Sequence, residues 1–95
     1  MNSNKWFFKD GASVMECESF PFAFRLMFNT FRKGLEKNAR KADDMIKQFS
    51  IVSPVKDAYG KKRVYSYAAA SQMAKNSGLL TPEGTINSKE FKNRY

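Results

Sequence analysis

The sequence predicts a small α+β domain in which two β-hairpins pack on a long central amphipathic helix and a shorter helix follows, in the order ββαββα. Three observations carry this expectation. Asp10-Gly11 and Asp57-Ala58-Tyr59-Gly60 are turn sequences set between apolar runs. Between the turns, Phe24, Phe28, Phe31, Leu35, Ala39, Ala42, Ile46 and Phe49 recur at steps of three and four, the spacing of one helix face. The length of 95 residues suits one domain, residues 1–95, with one hydrophobic core.

The first hairpin is expected over residues 5–19. A type I′ turn at Asp10-Gly11 pairs Lys9 with Ala12, Trp6 with Met15, Phe7 with Val14 and Lys5 with Glu16. Trp6, Phe8, Met15 and Cys17 then share a face assigned to the core. Phe7 and Val14 fall on the other face, an apolar pair that wants a covering partner.

The central helix is expected over residues 20–49, with Ser19 as N-cap and Pro21 in the first turn, where a missing N–H costs nothing. Its N-terminal half is apolar on opposing sides, because Phe22 and Leu26 lie across from the Phe24 stripe. Its C-terminal half carries a wet, basic face. Glu36 with Arg40 and Asp43 with Lys47 are spaced as i,i+4 pairs, and Gly34 marks a bend or a close packing contact.

The second hairpin is expected over residues 50–67, a type I turn with Gly60 in the left-handed conformation of a G1 bulge. In that register Ile51, Val55, Tyr65 and Tyr67 share a face, and Lys56 stands opposite Lys62. Pro54, lacking an N–H, places its strand at a sheet edge. Ser66 then caps an alanine-rich helix over residues 67–76, closed by Gly78. Leu79 and Leu80 anchor the chain on the core, residues 81–84 turn, and a last helical turn is expected around Phe91. Residues 73–79 have the Ala and Gly spacing of the first helix and turn of a helix-turn-helix unit. Thr81-Pro82-Glu83-Gly84 stands where a recognition helix would begin, and a glycine-capped helix accounts for the same residues.

Chemistry is limited by what is missing. The chain has no His, which excludes a His general base, a His metal ligand and any Ser-His or Cys-His nucleophilic pair. Glu16 and Glu18 share a strand face about 7 Å apart and read as a polar stripe with Lys5 as partner. Asp43 and Asp44 read as solvated charge. The single Cys17 leaves no internal disulfide and reads as a buried, inert thiol. The expectation is a non-enzymatic protein with no metal and no cofactor, cytoplasmic, without a membrane-spanning segment.

Charge and aromatic content direct the functional reading. Seventeen Lys and Arg against nine Asp and Glu give a net charge of +8, which favours nucleic acid or an acidic protein surface. Two basic surfaces are expected. One is the hairpin tip, Lys56, Lys61, Lys62 and Arg63 with Tyr59, where cations meet phosphates and tyrosines stack on bases. The other is the helix face Arg32, Lys33, Lys37, Arg40 and Lys41. The leading expectation is a small accessory protein that binds nucleic acid non-specifically through both. Nine Phe, four Tyr and one Trp are a heavy apolar load for this length, and they support the alternative. That alternative is a protein-interaction module, a homodimer or an inhibitor-like factor of the compact kind found in phage and viral genomes, meeting its partner through Phe7, Val14, Phe22 and Leu26.

Overall fold

A computed structural model describes residues 5–87 of the chain. Strands β1 (Trp6–Asp10), β2 (Ser13–Cys17), β3 (Phe49–Lys56) and β4 (Lys62–Ser66) form one antiparallel sheet in the order β2-β1-β3-β4. Helices α1 (Phe20–Lys37), α2 (Ala39–Met45) and α3 (Tyr67–Asn76) complete the ββαββα order. Helices α1 and α3 cover one sheet face, burying Phe8 and Ile51 of the sheet against Phe24, Met27, Ala70 and Ala74. No described helix covers the other face, where Val14 and Val64 are more than half exposed.

The first hairpin forms with a shifted register. Asp10 pairs with Ser13 and Trp6 with Cys17, so the two-residue turn is Gly11-Ala12. Positive φ occurs at Gly11 (60°) and not at Ala12, the pattern of a type II′ turn. The physical reason lies in β3. Asp10 stays extended and pairs with Phe49, which a type I′ turn at Asp10-Gly11 would forbid. The pairing shifts by two residues, so Trp6, Phe8, Met15 and Cys17 keep a common face while the partners change, but Met15, on the edge strand, is half exposed instead of joining the core. Phe7 faces Glu16 instead of Val14, and Lys5 reaches Glu18 at 3.9 Å instead of pairing with Glu16.

The long helix breaks at Asn38. A straight helix over residues 21–49 would be roughly 43 Å long, more than the 40 Å longest dimension of the molecule. Asn38 is extended (φ −163°, ψ 105°). Its N–H closes α1 on the Gly34 carbonyl at 2.8 Å, and its side-chain oxygen accepts from the N–H groups of Arg40 and Lys41, capping α2. The corner folds Ala42 and Met45 back onto Gly34, whose missing side chain makes room for them. The expected apolar stripe therefore ends early. Leu35 is 42 % exposed and Ala39 is exposed, while Phe49 leaves the helix altogether and packs as a strand residue on Phe8, ring centres 5.4 Å apart. The break also separates Glu36 from Arg40. The acidic pair of α2 contributes Asp44, not Asp43, to an ion pair with Lys47 at 3.7 Å.

In the second hairpin the tip follows the expected register and the base does not. Lys56 pairs with Lys62, but Ile51 pairs with Tyr65 and Ser50 with Ser66, a shift absorbed between Val52 and Lys56. Pro54 sits inside that irregularity, where no ladder N–H is needed, and the Ser53 hydroxyl accepts from the Val55 N–H at 3.0 Å. Strand β3 lies between β1 and β4 over residues 49–52, and Pro54 falls beyond the last β1 pair, where β3 has only β4 beside it, as its missing N–H suggests. The bulge turns Val55 out to solvent, and Tyr67 opens α3 instead of extending β4.

Helix α3 matches its expected bounds. The Ser66 hydroxyl accepts from the Ala69 N–H. At the other end Leu79 donates to Ala74 and Gly78 to Lys75, the Schellman pattern, with Gly78 at φ 81°. Leu79 and Leu80 are buried, and Leu80 bridges to Ile86 across the turn at residues 81–84. No recognition helix follows α3 among the described residues. The helical turn expected around Phe91 lies outside them.

Candidate nucleic-acid interface

The tip of the β3–β4 hairpin is built by Asp57. Its carboxylate oxygen accepts from the N–H groups of Tyr59 at 2.9 Å and Lys61 at 3.0 Å, while its backbone closes the loop through Asp57 N–H to Lys61 carbonyl and Gly60 N–H to Asp57 carbonyl. Gly60, at φ 79°, supplies the left-handed residue that the loop requires. The one acid of the tip is therefore turned onto backbone amides, and the surrounding cations project outward. Tyr59 at the apex is 89 % exposed.

Lys56 and Lys62 are direct cross-strand partners, a like-charge pair that sheet stability alone disfavours. The Lys62 ammonium is placed 5.5 Å from the centre of the Phe7 ring, on the open face of the sheet, a cation–π contact. Among the described residues the ion pairs are Lys5 with Glu18 and Lys47 with Asp44, neither of them at the hairpin.

Behind the tip lies a cleft of about 250 Å³, lined by Trp6, Tyr65, Arg63, Lys56, Asp57, Ser53 and Val55. It exists because β1 pairs with β3 only as far as Val52, so the hairpin projects past the end of β1. Trp6, at that end, stacks with Tyr65 (ring centres 6.3 Å, planes 26° apart) and meets Phe20 edge-on at 5.4 Å. The sequence offered no sign of Trp6 as a surface residue. Its parity with Phe8 places it on the core side, and only the non-local pairing of β1 with β3 shows that the core side continues there into an open cleft.

The basic helix residues form a separate surface. Lys33, Lys37 and Lys41, with Glu36 among them, line a hollow of about 360 Å³ in the α1–α2 corner together with Thr30, Gly34, Asn38 and Met45. Arg32 and Arg40 are exposed outside it. This surface stands at the opposite end of the sheet from the hairpin. Helix α1 begins beside Trp6 and Tyr65, its Thr30 reaches the Asp10 end of β1, and α2 leads through a short 3-10 turn, Ile46–Gln48, into the first residue of β3. The eight residues of β3 separate the two basic regions by roughly 23 Å, at about 3.3 Å per residue.

The four apolar residues expected at an interface do not share one surface. Phe7 and Val14 lie on the open sheet face, with Phe7 half-covered below Lys62. Phe22 and Leu26 lie on α1 across the sheet, where with Glu16, Cys17 and Glu18 they line a hollow of about 330 Å³ beside edge strand β2. Cys17 is buried there. Burial pushes its thiol pKa up, a backbone hydrogen bond from Phe8 opposes the rise, and the Glu16 charge adds to it. Burial likewise raises the Tyr67 phenol, against a hydrogen bond with Ser71.

Among the described residues no three Cys, Asp or Glu side chains gather to hold a metal ion, and no helix is long and apolar enough to cross a membrane. Comparison of the chain with protein-family models, with curated proteins and with solved structures gave no match.

Proposed function

We propose that the protein is a non-enzymatic accessory factor that binds nucleic acid without sequence preference, through the β3–β4 hairpin. The observation that carries this reading is the tip itself. Lys56, Lys61, Lys62 and Arg63 surround a loop whose acid is spent on backbone amides, and the like-charged Lys56 and Lys62 stand opposite each other. A polyanion relieves that repulsion, and nothing in the hairpin's own packing does. The helix surface at Lys33, Lys37 and Lys41 extends the same polarity to the other end of the sheet, so a long strand can engage both regions and a short one only the hairpin.

Fluorescence anisotropy with a labelled oligonucleotide tests this reading. Affinity should fall linearly on a log–log plot against salt, with a slope of about −3 if the four hairpin cations each neutralise one phosphate of a single strand. Replacing Lys61, Lys62 and Arg63 together by Ala should remove most of that slope. Binding that ignores salt, or no binding at low salt, overturns the reading.

A second reading is favoured by the hollow beside β2. An edge strand with an unpaired side, next to half-buried Phe22 and Leu26, is a surface on which another chain can add a strand and bury aromatic area. Size-exclusion chromatography with light scattering tests its homodimeric form. A single monomeric species across a wide concentration range removes it.

A further inference from the structure

We infer that the cleft behind the hairpin is a single-nucleotide pocket, in which the protein takes one unpaired base against Trp6 and Tyr65 while Arg63 and Lys56 hold the adjoining phosphate. This rests on the nucleic-acid reading above and adds to it a preference for single strands.

Four features converge on that ligand. The cleft measures about 250 Å³, on the scale of a single base with part of its sugar. Its lining brings the indole of Trp6 and the phenol ring of Tyr65 together with the cationic residues Arg63 and Lys56. A planar aromatic group joined to an anion matches that combination, and a nucleotide is such a group. Trp6 and Tyr65 are already held against each other and against Phe20, so little side-chain freedom is lost when a base adds to the cluster. Finally, Asp57, the only acid among the described residues that line the cleft, has one carboxylate oxygen committed to the Tyr59 and Lys61 amides. Its repulsion of a phosphate is thereby reduced.

A base inside a duplex is stacked and paired, and it cannot enter a cleft in a strand-end pocket without leaving the helix. The hairpin cations, by contrast, meet phosphates of either form. Single strands should therefore gain the contribution of base stacking, and duplexes should bind by charge alone.

Trp6 is the one tryptophan of the chain, so its fluorescence reports on the cleft directly. The experiment titrates the full chain at low salt with an oligothymidylate, an abasic strand of the same length, and a duplex. The expected result is quenching of Trp6 by oligothymidylate, little quenching by the other two, and an affinity for the abasic strand roughly tenfold weaker, the size of one lost base–aromatic stack. Tyr65→Leu should bring oligothymidylate down to the abasic level while leaving duplex binding in place. Equal affinity and equal quenching for the normal and abasic strands overturn the pocket and leave the hairpin reading standing. Failure of all three to bind overturns the hairpin reading and the pocket with it. The abasic comparison needs no variant, so the test holds whatever Tyr65→Leu does to folding.

Discussion

A Cβ placed on Gly34 would stand 2.8 Å from the sulfur of Met45, closer than packed atoms tolerate. The Met45 thioether and the Ala42 methyl occupy the space that a side chain at Gly34 would need. Gly34→Leu therefore displaces the Met45 side chain and overpacks the corner between α1 and α2. Leucine is a far better helix former than glycine, which alone would stabilise α1 by up to about 1 kcal/mol. The expected outcome is nevertheless a loss of about 1–3 kcal/mol, the usual range for overpacking, measured as a lowered urea midpoint. A gain in stability would show that the corner is not overpacked by the larger side chain.

The two serine N-caps should respond oppositely to alanine. The Ser66 hydroxyl accepts from the Ala69 N–H, whereas the Ser19 hydroxyl makes no capping bond and is buried without a partner among the described residues. Ser66→Ala should cost about 1 kcal/mol. Ser19→Ala should be neutral or stabilising, because it removes an unsatisfied buried polar group. Thermal melts of the two variants decide the matter, and an equal loss in both would contradict the difference in capping.

Phe24 is fully buried, with its ring between those of Phe20 at 6.0 Å and Phe28 at 5.7 Å. Phe24→Ala should cost about 3–5 kcal/mol. A domain this small has marginal stability, so the variant is expected to be largely unfolded at 37 °C by circular dichroism.

Stability should decline at alkaline pH. The folded state raises the pKa of Cys17 above its ordinary 9.0 and that of Tyr67 above 10.0. For an acid held protonated by folding, the stabilising contribution is complete below the unfolded pKa. It is lost as pH rises, because the unfolded chain then releases protons that the folded chain retains. The urea midpoint should thus fall from about pH 9 upward. Cys17→Ala should flatten the early part of the fall and Tyr67→Phe the later part.

The distance between the basic regions predicts a length effect. Replacing Lys33, Lys37 and Lys41 by Ala should leave binding of an oligonucleotide too short to span β3 unchanged and weaken binding of a longer one, with a smaller salt slope. Equal effects on both lengths would place the two regions on one ligand footprint, contrary to their separation.

Much of this architecture is legible in the chain because its signals are local. Asp57 and Gly60 specify their loop within four residues, Ser66 and Gly78 bound α3, and the strand parity that puts Trp6 and Phe8 on one face needs only alternation. The hairpin cations were equally visible, since a loop register suffices to bring Lys56 opposite Lys62. What stayed hidden depends on partners far along the chain. The apolar repeat runs on past Lys37 in helical spacing, so the break at Asn38 could not be seen without knowing that Met45 folds onto Gly34. Pro54 marks the stretch of β3 that lacks β1 beside it, and only the pairing of β1 with residues 49–52 revealed that the rest of the strand is central.

The sequence by itself determined the ββαββα order, the shared face of Trp6 and Phe8 in the first hairpin and the positive tip, because each follows from turn chemistry, periodicity and charge over short spans. The tertiary structure decided where those pieces meet. It placed the basic helix surface at the far end of β3 from the hairpin, divided Phe7 and Val14 from Phe22 and Leu26 on opposite sides of the sheet, and ended β1 short of the hairpin so that Trp6 and Tyr65 open onto a cleft. The physical reason is that strand pairing between distant segments is fixed by the total burial of the core, a property of the whole chain and of no window within it.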